Sequence, residues 1–295
     1  MKTFFVPAHI TGFFEIRDHD DPLKTGSRGG GVVLDAGVDT GVIVKDSDET
    51  SLKVFYDKKE CQCRTTRTVV KEMLKDACGA FELEVHHFPK LPLSYGFGVS
   101  ASGALGAAFA LNYALDLEFD YGRLGCIVHL AEVINNTGRG DVIAELSRGL
   151  VIRTGEGAPG KGRIRSIPLN GYVVSFIIGK PLQTKTVLGN RTKRLAINSV
   201  GKTCMSAILK EPTPGHFMEL SRRFTVETGL AQRKVEKAIE TLEKAGVTAA
   251  MCMLGNAVFT LTDEPEEVTG LLSYPFIVSR PLEKDLRSRS LSGYD

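Results

Sequence analysis

From Pro92 to Gly103 the chain reads Pro-Leu-Ser-Tyr-Gly-Phe-Gly-Val-Ser-Ala-Ser-Gly, and small apolar residues follow to Leu115. A glycine-rich loop feeding a helix makes an anion site. Glycines let the backbone approach a phosphate closely, and the first amides of a helix have no partner inside it. Ser100 and Ser102 sit where the helix begins, and a hydroxyl there can cap the helix, bind a phosphate oxygen or reach a metal ion. The same loop also fits a plain turn that packs a helix closely, and on residue types alone the two readings are evenly matched. Glu132 and Asp141 form a second constellation. His129 and Glu132 are spaced i, i+3 on one helix face, and the turn Asn135-Asn136-Thr137-Gly138-Arg139-Gly140 delivers Asp141. Phosphoryl transfer to an alcohol needs a metal on the phosphates and a group that orients or deprotonates the hydroxyl, so one carboxylate for each task suffices. Isolated acids on a helix are otherwise mostly solvated. Two other phosphate-loop patterns fare worse. Gly96-x-Gly98-x-x-Ala101 fits a dinucleotide fingerprint loosely, but Pro89 and Pro92 separate it from the preceding strand, which makes that reading weaker, and Gly201-Lys202-Thr203 is rejected as a Walker A loop because Ala196 stands where glycine is needed.

These residues need elements to hold them. Short strands are expected at Lys2 to Pro7, Ser51 to Tyr56, Phe81 to Phe88 and Leu150 to Arg153, with a strand hairpin over Gly31 to Val44 and a polar, glycine-rich loop from Asp18 to Gly31. Helical spacing marks Arg67 to Ala77, Ala101 to Leu115, Tyr121 to Asn135 and Gln232 to Ala245, and a further helix begins at Asp141 to Leu146. Tyr172 to Ile178 reads as a buried strand opening a second domain, Ala249 to Leu254 and Ala257 to Leu261 as a strand pair turning at Gly255-Asn256, and the tail from Arg280 as frayed. The mixture is α+β.

At 295 residues the chain is long enough for two modest domains, 1–168 and 169–295. A formal charge of +2 argues against both nucleic-acid and membrane partners. The six cysteines lack regular spacing, and Cys61-Gln62-Cys63 alone is too sparse for a zinc site, so reduced, partly buried thiols are expected. With no signal pattern and no apolar stretch long enough to span a bilayer, a cytoplasmic protein is expected. Oligomeric state is left open, a homodimer included.

The loop resembles the phosphate loop of the GHMP kinases, which reads proline, three residues, Gly-Leu-Gly-Ser-Ser-Ala. Pro92, Gly96, Phe97, Gly98, Ser100 and Ala101 fall in register, and Val99 replaces the first serine. The resemblance implies that Gly96, Phe97, Gly98, Val99, Ser100, Ala101, Ser102 and Gly103 bind ATP phosphates, with Ser100 on the metal ion and Ser102 close enough to compete. Glu132, Gly140-Asp141-Val142-Ile143-Ala144 and Arg148-Gly149-Leu150-Val151-Ile152-Arg153 follow the family's order of helical glutamate, Gly-x-Asp segment and glycine-containing strand. This implies Glu132 as a Mg2+ ligand and Asp141 as the catalytic aspartate. Val6 to Glu15 is similar to the first family motif, with Pro7 and Glu15 in register, His9 at the position of a lysine and Ile16 at that of a histidine. Thr248 to Phe259 lies where the third motif falls, with most of its glycines gone. The fold implied has two domains, the first with the topology of a ribosomal-protein domain and the second an α/β sandwich.

The departures, with Gly26-Ser27-Arg28-Gly29-Gly30-Gly31, resemble the archaeal branch of the family that phosphorylates pantoate. That implies ATP-dependent phosphorylation of the primary hydroxyl in coenzyme A synthesis. A substrate carboxylate favours an arginine fork or several hydroxyl donors. His9, Ser27, Arg28, His129, Arg153 and Thr184 are the candidate substrate contacts. Two rivals remain. One is another GHMP kinase, acting on shikimate, homoserine or a mevalonate derivative. The other is a nucleic-acid-binding regulator built on a helix pair within Phe217 to Gly246, against which Glu236, Glu240 and Glu243 interleave with Arg233, Lys234 and Lys237.

Overall fold

The computed structural model describes residues 1–182 and 187–286. Two long strands organise it. Strand β1 (Thr3–Arg17) pairs antiparallel with β2 (Gly26–Ser47) along its whole length, with register shifts between Pro7 and His9 and between Thr11 and Phe13. The other edge of β2 takes β6 (Leu150–Gly155) at Gly29 to Val32 and β5 (Ala80–Pro89) at Val38 to Ser47. Strands β3 (Ser51–Tyr56), β4 (Lys59–Glu60) and β7 (Arg163–Ile167) complete a seven-stranded sheet in which β3 and β5 run parallel. A second, antiparallel sheet of order β11-β8-β10-β9 comprises β8 (Tyr172–Ile177), β9 (Ala250–Met251), β10 (Ala257–Thr262) and β11 (Phe276–Ser279).

Helices α1 (Arg64–Met73), α2 (Val99–Ala114) and α3 (Tyr121–Asn135) form a core with the first half of β1, including Phe4 and Val6, and with Leu83 and Val85 of β5. Helix α2 is apolar all round and buried on nearly every side, as a helix in mid-core must be. Past its bulges β1 turns Ile10, Phe13, Phe14 and Ile16 into a second core. That core is shared with the second sheet and with α5 (Arg191–Ile208), α6 (Pro214–Thr228) and α7 (Arg233–Lys244). Ring pairs Phe13–Phe217 and Phe14–Phe224 tie the halves together, and Phe217 in turn packs on Phe259 of the second sheet. The short helices α4 (Asp141–Glu145) and α8 (Pro265–Thr269) complete the set among the described residues.

Several expectations are corrected. The polar connection covers only residues 18–25, because Gly26 to Gly31 lie within β2. Glycine serves there for close packing: a Cβ at Gly29 would fall 2.3 Å from the Phe13 carbonyl oxygen. Helix α5 and strands β7 and β11 were not read from the sequence. Residues 280–286 are not frayed: Leu282 donates to the Val33 carbonyl, Arg280 accepts from the Asp35 amide, and Leu282 and Leu286 are buried. Cys61 and Cys63, expected as thiols, are joined by a disulfide at the entry to α1, while Cys78, Cys126, Cys204 and Cys252 are free. No described helix is long and apolar enough to cross a membrane.

Candidate active site

The phosphate loop lies between β5 and α2, and its glycines are required by geometry. Gly96 (φ +89°) and Gly98 (φ +68°) both adopt left-handed conformations that side chains disfavour. A Cβ on Gly96 would lie 2.6 Å from the Cys252 carbonyl oxygen, and one on Gly98 would lie 2.7 Å from Glu145 Oε1. Gly98 caps α2 without a side-chain hydrogen bond, so the opening amides of the helix face the loop's concavity uncapped. The C-terminal loop Leu254-Gly255-Asn256 closes against this turn backbone to backbone: a Cβ on Gly255 would overlap Tyr95 at 2.0 Å. The third constellation thus packs directly on the first.

The two serines separate cleanly. Ser100 is partly exposed and lines the cavity beside the loop. Ser102 is fully buried, with its hydroxyl 3.0 Å from Glu145 Oε1 and 3.1 Å from the Pro7 carbonyl oxygen. Ser102 is therefore turned inward, away from any metal position on the cavity side, because α2 rotates successive residues by about 100° and the i+2 hydroxyl faces the core.

Three carboxyl groups lie within electrostatic reach of one another. Glu132, on α3, is 2% exposed, and its Oε1 accepts from the Thr137 hydroxyl at 3.1 Å, which itself meets Thr65 at 2.9 Å. Its Oε2 has no partner among the described residues. Burial, then the charge of Asp141, push its carboxyl up to about 8. Asp141 opens α4 and lines the cavity with its side chain a quarter exposed. Burial alone would raise its pKa, but a 3.0 Å hydrogen bond from His9 Nδ1 and the nearby charge of Arg153 outweigh it, so Asp141 stays below the ordinary carboxylate range. Glu145, one turn further along α4, is wholly buried, with Ser102 as its hydrogen-bond partner. Burial, then the charges of Asp141 and Glu132, push its carboxyl well above the usual range where it packs under the phosphate loop.

A cavity of about 440 Å3 joins these groups. Its lining includes Gly96 to Ala101, Glu132, the turn Asn135 to Gly140, Asp141, Ser27 and Arg153, with Met253 and Leu254 from the second half. The catalytic, metal and phosphate candidates other than Ser102 and Gly103 therefore open onto one space. The substrate candidates divide. Ser27 and Arg153 line the cavity, Ser27 donating to the Arg139 carbonyl at 3.4 Å. Arg28 turns toward Glu15, 3.8 Å away, and is not part of the lining. His129 Nε2 donates to the Thr25 carbonyl at 2.8 Å and does not reach the cavity, because burial in the cleft behind β2 fixes it to the backbone just ahead of Ser27. His9 is completely buried behind Asp141, without a place in the lining. Thr184 lies outside the described residues.

Sequence reasoning missed Glu145, Thr137 and Arg139. Arg139 lines the cavity and donates to Asp18 Oδ1, and Arg194 of α5 pairs with the other Asp18 oxygen, so a single carboxylate bridges the Asp141 turn to the second half. No spacing in the sequence links Asp18 with Arg194, and only the fold brings them together.

This architecture has clear relatives. Residues 64–149 match the GHMP kinases N terminal domain. Over 275 residues the chain is 34% identical to a pantoate kinase of Methanocaldococcus jannaschii, covering 92% of this chain and 98% of that protein. It is 35% identical to a pantoate kinase of Thermococcus kodakarensis, covering 91% of each. A solved structure described as a phosphotransferase related to the CoA biosynthesis pathway superposes with a TM-score of 0.86 at 32% identity, covering 96% of both chains. A mevalonate kinase structure at 13% identity and a TM-score of 0.68 shares the fold. At 34–35% identity over more than nine-tenths of its length, the chain belongs to the GHMP kinases, in the pantoate kinase family.

Proposed function

We propose that this chain transfers the γ-phosphoryl group of ATP to the primary hydroxyl of pantoate, a step of coenzyme A synthesis carried out in the cytoplasm. The observation that carries this reading is that the phosphate loop and the Asp141 carboxylate open onto one cavity, in a chain 34–35% identical to pantoate kinases over nearly all its length. Residues 1–168 supply the nucleotide side and residues 169–295 close over it.

The loop from Gly96 to Ser100, at the start of α2, receives the phosphates, since helix-start amides without a cap favour anions. A hard divalent cation fits the donor set: the Ser100 hydroxyl lines the cavity, and Glu132 presents a buried Oε2 with no partner among the described residues. Ser100 and Glu132 would hold that cation, Mg2+ in this reading, which would supply charge neutralisation at the bound phosphates. Asp141, an anion at neutral pH, orients the substrate hydroxyl and takes its proton late, because a loose transition state rewards positioning over base strength. Arg153 and Ser27 line the cavity and are the proposed contacts for the carboxylate of pantoate; Thr184, outside the described residues, is proposed with them from the sequence. Replacing Asp141 by Asn tests the assignment. Turnover is expected to fall by about 10^2- to 10^4-fold with the KM for ATP little changed. Turnover near wild type would remove Asp141 from the mechanism.

A further inference from the structure

We infer that His9, at the position where the family's motif has a lysine, is a positioning residue that sets the orientation and charge of Asp141 and is itself set by Arg153. The inference rests on the reading of Asp141 given above. His9 follows the first bulge of β1, and the bulge aims its ring into the protein rather than across the sheet. It is 0% exposed. Gly31 of β2 makes the room: a Cβ there would lie 2.2 Å from His9 Nε2.

The tautomer follows from the partners. Arg153 NH1 lies 3.4 Å from His9 Nε2, and a guanidinium can only donate. Nε2 must therefore carry the lone pair, and the ring proton sits on Nδ1, 3.0 Å from Asp141 Oδ1, to which it donates. Arg153 on β6, His9 on β1 and Asp141 on α4 form a directed chain of two hydrogen bonds. It commits one Asp141 oxygen and leaves the other for a substrate hydroxyl. Burial and the Arg153 charge keep the imidazole neutral, so His9 delivers a hydrogen bond where a lysine would deliver a charge. The charged groups around the chain are Arg153 on one side and Glu132 and Glu145, which share Asp141's electrostatic environment, on the other.

The test is a substitution pair on the full-length chain. In His9→Asn the side-chain amide reaches the place of the Nδ1–H donor, and in His9→Ala nothing does. Because a misplacement of about 1 Å at a reacting group costs on the order of 10^2-fold, His9→Ala is expected to lower kcat by about 10- to 100-fold with the KM for ATP within about twofold, and His9→Asn to recover most of that loss. Nitrogen-15 NMR of the wild-type imidazole is expected to show the Nδ1–H tautomer. The inference is overturned if His9→Ala turns over like wild type while Asp141→Asn is impaired, if Asn restores no more than Ala, or if the proton is found on Nε2. Wild-type turnover in Asp141→Asn would instead overturn the reading on which it rests. The NMR result holds the test even if the alanine variant does not fold.

Discussion

Replacing Gly255 by alanine perturbs the phosphate loop from about 160 residues away in the chain, and its effect can be worked from the packing. The new Cβ would sit 2.0 Å from the Tyr95 carbonyl carbon, 2.1 Å from its oxygen and 2.3 Å from the Gly96 amide nitrogen. Ordinary contact begins at 3.4 Å, so the two backbones must part by 3.4 − 2.0, or about 1.4 Å. The three nearest atoms are all main chain, so no side-chain rotation relieves the overlap. Overpacking of this kind costs about 1–3 kcal/mol. The cost falls either on folding, at roughly 2–4 °C of Tm per kcal/mol, or on a displaced loop, where 1–3 kcal/mol is about 5- to 150-fold in the KM for ATP. Gly229 supplies the control. It is left-handed at φ +59° with nothing within 4 Å of a Cβ, so alanine there costs only the backbone term of about 1–2 kcal/mol and leaves the KM for ATP alone. The assay is KM for ATP with thermal unfolding on both variants. A Gly255→Ala protein matching wild type in both would refute the packing of the C-terminal loop on the phosphate loop.

Two further outcomes follow from the buried acids. Glu132, held near 8, is mostly protonated at pH 7, so binding of Mg2+ and ATP is expected to release close to one proton from it. Calorimetry in buffers of different ionisation enthalpy should show that release, and Glu132→Gln should lose it; equal release from both proteins would contradict the assignment. Glu145 has a folded-state pKa above its unfolded value, so its stabilisation is full below about pH 4.5 and is lost as pH rises toward the folded pKa. Glu145→Gln keeps the shape and removes this loss. It is expected to be more stable than wild type at pH 7–8, with the difference vanishing near pH 4 in denaturant titrations; a difference independent of pH would show that Glu145 does not titrate as described.

Legibility of the fold varied with how strongly one physical signal dominated. Helix α3 and strand β3 fall at the bounds expected from sequence, because periodicity and flanking polar residues agree. Helix α5 was missed although Ile197, Gly201, Cys204, Met205 and Ile208 make a buried stripe, since the stripe includes a glycine and is interleaved with Asn, Ser and Thr. The run Gly29 to Gly31 reads as a turn by composition, yet it is a strand made of glycine so that Phe13 and His9 can approach it. The phosphate loop, Glu132 and Asp141 stood out because family order and context mark them, and the fold brings Gly96 to Ala101, Glu132 and Asp141 to one cavity. His9 was visible as a departure from that pattern, but its direction was not, since a bulge and a distant arginine decide it. Glu145 carried no signal at all, being one acid in a short helix until the fold buries it.

The most direct test of the central claim is ADP release from ATP and Mg2+ with pantoate, shikimate, homoserine and mevalonate as acceptors. Turnover with pantoate alone is the result this account predicts. Turnover confined to another alcohol would keep the kinase and contradict its substrate, and silence across all four would contradict the reading of the cavity as a phosphoryl-transfer site.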